Sequence, residues 1–209
     1  MPAEFLHTYI PGNSPVTILA LHGTGGDEND LVGVARAVYP GAGILSPRGR
    51  VSEHGAARFF RRLAPGVFDE AEIRGRAAEL AEWLQWAAGE YGFDPQRLYA
   101  LGYSNGANMA IAAMLLHPGC LAGGVMLRPM EVIRPEPLPA LAGAPILLAA
   151  GEADAIAPPR DAHRLARMLA DAGAAVDFAV MECGHDLTPE DFSGAKRWFA
   201  QLNTAPKTN

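Results

Sequence analysis

Along the chain, short apolar runs bounded by Gly and Pro alternate with longer stretches of helical period. Residues 16–21 are apolar except for one Thr, the pattern of a strand covered on both faces. Runs of the same kind fall at 43–46, 98–101, 125–127, 146–150 and 176–181. From 73 to 91, apolar residues recur at 73, 77, 80, 84, 87 and 91, one stripe along a helix. Gly92 then sits where a left-handed cap belongs. A second apolar helix follows the 98–101 strand and runs through Leu116. Leu165, Met168, Leu169 and Ala172 make the face of a third, closed by Gly173. The last helix opens at Thr188, with Pro189 in its first position and Asp191 three residues on, an acidic capping box. Its core face is Trp198, Phe199 and Leu202.

Strands alternating with helices predict an α/β fold, a mostly parallel sheet with helices on both faces. Residues 5–10 would add an antiparallel edge strand. Residues 129–145 hold too many prolines for a helix or central strand and read as a loop. The 209 residues suit a single domain over 1–203, with 204–209 as a frayed tail and no insertion large enough for a lid. In such sheets ligands collect beyond the carboxyl ends of the strands. The residues just after 21, 46, 102, 127, 150 and 181 are therefore the ones to inspect for chemistry.

After the 98–101 strand come Gly102-Tyr103-Ser104-Asn105-Gly106, then the apolar helix. A G-x-S-x-G turn between a strand and a helix lifts a serine hydroxyl to the top of the sheet. The glycines have a steric reason, since the turn is strained and brings two chain segments close. With 23 Gly and only five Ser in the chain, about 0.06 such matches arise by chance.

A serine hydroxyl needs a base, itself oriented by an acid, and this order of elements puts the acid before the histidine. Three histidines follow Ser104. His117 ends the elbow helix and His163 lies inside another, so both point away from the strand ends. His185 alone follows a strand, and it is the predicted base. After the 146–150 strand, Glu152 and Asp154 are both available. Asp154 is the better choice, because it lies deeper in the loop on a shorter side chain. A tetrahedral intermediate needs two donors for its oxyanion. The backbone N–H of Asn105 supplies one, and that of Thr24, in the glycine-rich loop 22–26, the other. His22 reads as a structural histidine rather than a metal ligand. The loop lacks the Gly-Lys-Ser/Thr of a phosphate cradle.

Composition narrows the partners. A net charge of −6 argues against nucleic acid, which needs a basic face. Two cysteines, Cys120 and Cys183, exclude a disulfide scaffold or a multi-cysteine zinc site. Cys183 reads as a small buried residue of the last strand. No signal peptide and no membrane-spanning run is visible, so a cytoplasmic protein is expected, with a homodimer left open. No cofactor and no metal is called for.

The sequence resembles the α/β-hydrolase superfamily in its phospholipase/carboxylesterase branch, which includes acyl-protein-thioesterase-like esterases. Segments 21–28, 46–49, 58–62, 102–108 and 184–191 are most similar to small bacterial carboxylesterases associated with hydroquinone stress. The elbow carries Ser where dienelactone hydrolases carry Cys. The resemblance implies a Ser104-Asp154-His185 triad, with Thr24 and Asn105 in the oxyanion hole, and metal-independent hydrolysis of carboxylic esters or thioesters.

The expected function is therefore a serine esterase for small-molecule esters. An acyl-protein thioesterase or lysophospholipase is the alternative within the same chemistry. A hydrolase fold used only as a ligand-binding module is the alternative outside it. Phe59 and Phe60, adjacent aromatics in an arginine-rich segment, are expected to line an acyl or aryl pocket, with Met130 opposite. Arg58 is the preferred partner for an anionic substrate group, among Arg48, Arg58, Arg61, Arg62 and Arg128 near the strand ends.

Overall fold

A computed structural model describes residues 4–64 and 66–202. In chain order its strands are β1 His7–Ile10, β2 Thr17–Leu21, β3 Gly43–Pro47, β4 Val51–Glu53, β5 Ala56–Arg58, β6 Arg62–Ala64, β7 Val67–Phe68, β8 Leu98–Tyr103, β9 Gly123–Leu127, β10 Pro145–Gly151 and β11 Ala175–Met181. The helices are α1 Val32–Val38, α2 Glu70–Tyr91, α3 Asn105–Leu116, α4 Pro159–Asp171 and α5 Pro189–Gln201. Seven strands form one sheet in the order β1-β3-β2-β8-β9-β10-β11. Every pair is parallel except β1 with β3, so the predicted antiparallel edge is present, beginning at His7 rather than Phe5. Phe5 instead packs on Trp83 of α2.

Alternation along β2 shows how the sheet feeds two cores. Leu19 and Leu21 join the core beneath α2, α3 and α4, whereas Ile18 and Ala20 join the one beneath α1 and α5. The chain leaves β2 toward β3 and then returns to β8 on the other side of β2. This reversal opens a crevice at the carboxyl ends of β2 and β8, where Leu21 lies in register with Gly102. The site is built there.

The helices follow the periodicity. Gly92 caps α2 at φ 71°, with its N–H on Ala88 O. The Thr188/Asp191 capping box on α5 is present. At the other end of α2, Asp69 accepts the Glu72 N–H, and this side-chain cap starts the helix a turn before the apolar stripe begins.

Four features differ from the sequence reading. Helix α1 has only seven residues and buries only Ala35 and Val38, too little to leave a periodic signal. The two hairpins β4–β5 and β6–β7 have strands of two or three residues, below the length at which alternation is legible. Strand β11 reads as buried from its composition but is the sheet's outer edge, with Val180 44% exposed. Cys183 lies beyond the end of β11, half-buried, not in the strand. The loop expected at 129–145 is seen up to Pro145, which begins β10, a strand position that needs no N–H. The expected tail at 204–209 lies outside the described residues. Among the described residues, no helix is long and apolar enough to cross a membrane.

Candidate active site

Ser104 stands between β8 and α3 with φ 51° and ψ −113°, a conformation that L-residues rarely adopt. Its neighbours hold it there. The Ser104 N–H donates to Leu127 O at 2.8 Å, and its carbonyl accepts the Asn108 N–H at 3.0 Å. The flanking glycines are fixed by contact. A Cβ on Gly106 would lie 2.1 Å from Leu21 O, and one on Gly102 would lie 2.6 Å from Ala107 Cα. Both obstacles are backbone, so neither position tolerates even Ala without moving the turn.

His185 and Asp154 meet this serine from the loops after β11 and β10. His185 Nδ1 is 2.7 Å from Asp154 Oδ2, and Nε2 is 2.9 Å from Ser104 Oγ. A carboxylate only accepts, so Nδ1–H is the donor and Nε2 is left to accept from the serine hydroxyl. Asp154 is buried, and its other oxygen accepts the N–H groups of Ile156 and Ala157, both at 2.8 Å. Its carboxylate is thus clamped before the imidazole is considered. Glu152, the other predicted option, is exposed, and the bond to His185 Nδ1 is made by Asp154. Tyr103 adds a further restraint, its hydroxyl donating to His185 O at 3.1 Å.

A cavity of about 470 Å³ opens over Ser104. Thr24 and Asn105 both border it beside the serine. Asn105 is the first residue of α3, and N–H groups in a helix's first turn have no acceptor within the helix. Around Thr24, the Gly25 and Gly26 N–H groups are spent on Ala57 O and Gly23 O. Met130 lines the cavity.

Phe59 and Phe60 do not. They are 3% and 0% exposed, and they plug the core beneath the loop. Phe59 packs on His22, and Phe60 meets Phe68 edge-on. Phe68 and Ile156 supply the apolar wall instead. Hydrophobicity in a loop signals burial as readily as a pocket, and the burial of a whole loop is a tertiary fact. Arg58 does border the cavity, though most of its guanidinium is engaged. Nε donates to Phe60 O at 3.0 Å and Nη1 to Thr24 Oγ1 at 2.7 Å, with Glu53 3.2 Å away. Burial lowers its pKa, and the Glu53 carboxylate opposes that shift.

Sequence reasoning missed three supports of the site. The Asn105 side chain accepts the Phe59 N–H, and Asn108 accepts the Met130 N–H, each at 2.7 Å. Two asparagines in an otherwise apolar helix were the available signal. The third support is Arg128, grouped in the sequence with four other arginines near the strand ends but only 1% exposed. Among the described residues, no group of three or more His, Cys, Asp or Glu side chains converges as a metal set.

His22 is wholly buried, with Nδ1 2.6 Å from Gly23 O and Nε2 accepting the Gly49 N–H at 2.9 Å. Burial lowers its pKa, against the pull of Gly23 O and of Asp30. The unfolded chain therefore takes up this proton first. The stability His22 contributes is complete above about pH 6.5 and is lost as pH falls from there toward the folded-state value. Urea unfolding at about pH 7.5 and about pH 5.5 should show a larger drop for the wild type than for His22→Asn. Equal drops in the two proteins would exclude His22 as the source.

The dienelactone hydrolase family model matches residues 55–194, a stretch that contains Ser104, Asp154 and His185. MhqD of Bacillus subtilis (strain 168), a candidate hydrolase by name, is 38% identical over 195 residues, covering 93% of this chain and 98% of its own. The Bacillus cereus carboxylesterase crystal structure superposes with a TM-score of 0.93 at 40% identity, over 95% of each chain. The structure of YahD with malic acid superposes at 0.90 and 28% identity, over 95% of this chain and 99% of that one. With a family match over most of its length and a relative matched nearly end to end, this chain belongs to the dienelactone hydrolase family and has the α/β-hydrolase fold.

Proposed function

We propose that this hydrolase is a serine carboxylesterase acting on small esters through an acyl-enzyme. The observation that carries the reading is the unbroken line from Ser104 Oγ through the His185 ring to Asp154, on the floor of a cavity. Ser104 Oγ attacks the ester carbonyl while His185 Nε2 takes the hydroxyl proton. Asp154 stabilises the imidazolium. The N–H groups of Thr24 and Asn105 receive the oxyanion, each such donor typically worth about 10²–10³ in rate. Collapse breaks the C–O bond, and His185 returns the proton to the departing alcohol. Water then attacks the acyl-serine with His185 as base, releasing the acid and restoring Ser104.

Cavity size and lining favour small substrates. A volume of about 470 Å³ accommodates a short acyl and alcohol pair rather than a long lipid chain. Arg58 and Arg62 border it, and no carboxylate does among the described lining residues. This favours esters that carry an anionic group, in keeping with malic acid in the YahD structure.

A fluorophosphonate probe on the folded protein tests the nucleophile, and labelling at Ser104 is the expected result. Failure to label would leave a binding module as the better reading. A p-nitrophenyl ester series should then peak at acetyl to butyryl and fall for octanoyl and longer chains, with the succinyl monoester above butyryl. A maximum at long acyl chains, or at acyl thioesters, would favour the lysophospholipase or thioesterase alternative.

A further inference from the structure

Arg128 directly follows β9 and carries a positive φ of 54°, strain that persists only where the surroundings over-determine the residue. Its guanidinium pairs with Asp191 through two bonds, of 2.8 and 2.7 Å, and both side chains are 0% exposed. A buried staple would need no more than that pair. Yet Nε also donates to Gly184 O at 3.2 Å, and Nη2 to Asp186 O at 2.9 Å. Those two carbonyls flank His185. The carbonyl between them, His185 O, takes the Tyr103 hydroxyl. Three successive carbonyls of one loop are therefore held by side-chain donors from the end of β8 and the residue after β9, beside the nucleophile elbow.

Asp191 extends the bracket. Its Oδ2 also accepts the Thr188 N–H and hydroxyl, closing the capping box of α5. The chain from 184 to 191 is thus tied at both ends to one guanidinium. An extended loop bearing an imidazole has rotational freedom that must be removed before Nε2 can meet Ser104 Oγ at 2.9 Å.

We propose that Arg128, with Asp191 as its counter-ion, is a positioning residue that sets the His185 imidazole between Asp154 and Ser104. The inference rests on the serine-esterase reading for its kinetic consequence. Its geometric content concerns His185 and Asp154 alone. Lysine cannot reproduce the bracket, because an ammonium lacks the planar fork that serves both Asp191 and the two carbonyls.

Two variants test this. Arg128→Lys keeps the charge opposite Asp191. Arg128→Met with Asp191→Asn removes both charges and leaves an amide oxygen for the Thr188 N–H, so no buried charge is stranded. Both should lower kcat by about 10²-fold with KM changed less than about threefold, because a misplaced group slows the chemistry without weakening binding. Both should also lose the far-downfield proton NMR resonance of His185 Nδ1–H on Asp154. Variants that fold by near-UV circular dichroism, with wild-type kcat and that resonance intact, overturn the proposal. If neither folds, Tyr103→Phe decides, since it removes one carbonyl donor and leaves the ion pair in place. A several-fold loss of kcat with a weakened resonance supports the proposal, and no change in either overturns it. Absence of wild-type turnover would count against the esterase reading only, because the resonance needs no substrate.

Discussion

Ser104→Ala is expected to lower kcat on p-nitrophenyl acetate by about 10⁶-fold, and adding His185→Ala should cost less than about threefold more. The nucleophile and its base act as one unit. Once Oγ is gone, the imidazole has no proton to take, so the second loss is not multiplicative. Ala retains the Cβ of Ser, and the φ of 51° is held by the Leu127 and Asn108 contacts, which are backbone. The variant should therefore fold with an intact cavity. Residual hydrolysis above water, of about 10³-fold, would come from the Thr24 and Asn105 donors and from binding. A Ser104→Ala protein that keeps a tenth of its activity, in preparations free of wild type, would mean another nucleophile. Strictly multiplicative losses in the double variant would mean that His185 serves a separate step.

How much of this was legible in the sequence depends on how local each determinant is. Ser104, Asp154 and His185 each follow a strand, and the parallel topology brings those strand ends together whatever the side-chain packing. Gly102 is local as well, since the turn itself crowds it at Ala107, whereas Gly106 is crowded by Leu21 O of the neighbouring strand and is legible only through the motif. Phe59 and Phe60 illustrate the opposite case. Whether a loop aromatic faces a ligand or the core is decided by Asn105 and His22, which lie dozens of residues away in the chain. Arg128 and Asp191 are 63 residues apart, and nothing in either neighbourhood signals a buried pair. The outermost place of β11 was equally hidden, because a run of apolar residues looks the same at the centre and at the edge of a sheet.

Asp154→Asn is expected to reduce kcat by about 10⁴-fold while leaving KM nearly unchanged. The size of the effect follows from how the carboxylate is held. Its Oδ1 accepts two backbone N–H groups, from Ile156 and Ala157, and its Oδ2 accepts from His185. In the amide, only the oxygen can satisfy those two backbone donors, so the NH₂ must take the place of Oδ2. It then points a donor at His185 Nδ1, which has to become an acceptor. The ring proton moves to Nε2, where it faces Ser104 Oγ and can no longer receive the hydroxyl proton. The geometry survives while the tautomer is wrong, and that is why binding is spared. Glu152 is exposed on the same loop, whereas the bond to His185 Nδ1 is made by the buried Asp154. A loss below about tenfold for Asp154→Asn, with Glu152→Gln more damaging, would reassign the acid. A fall in KM as large as the fall in kcat would instead show that the amide had relieved strain in the bound ester, and the argument from tautomers would fail with it.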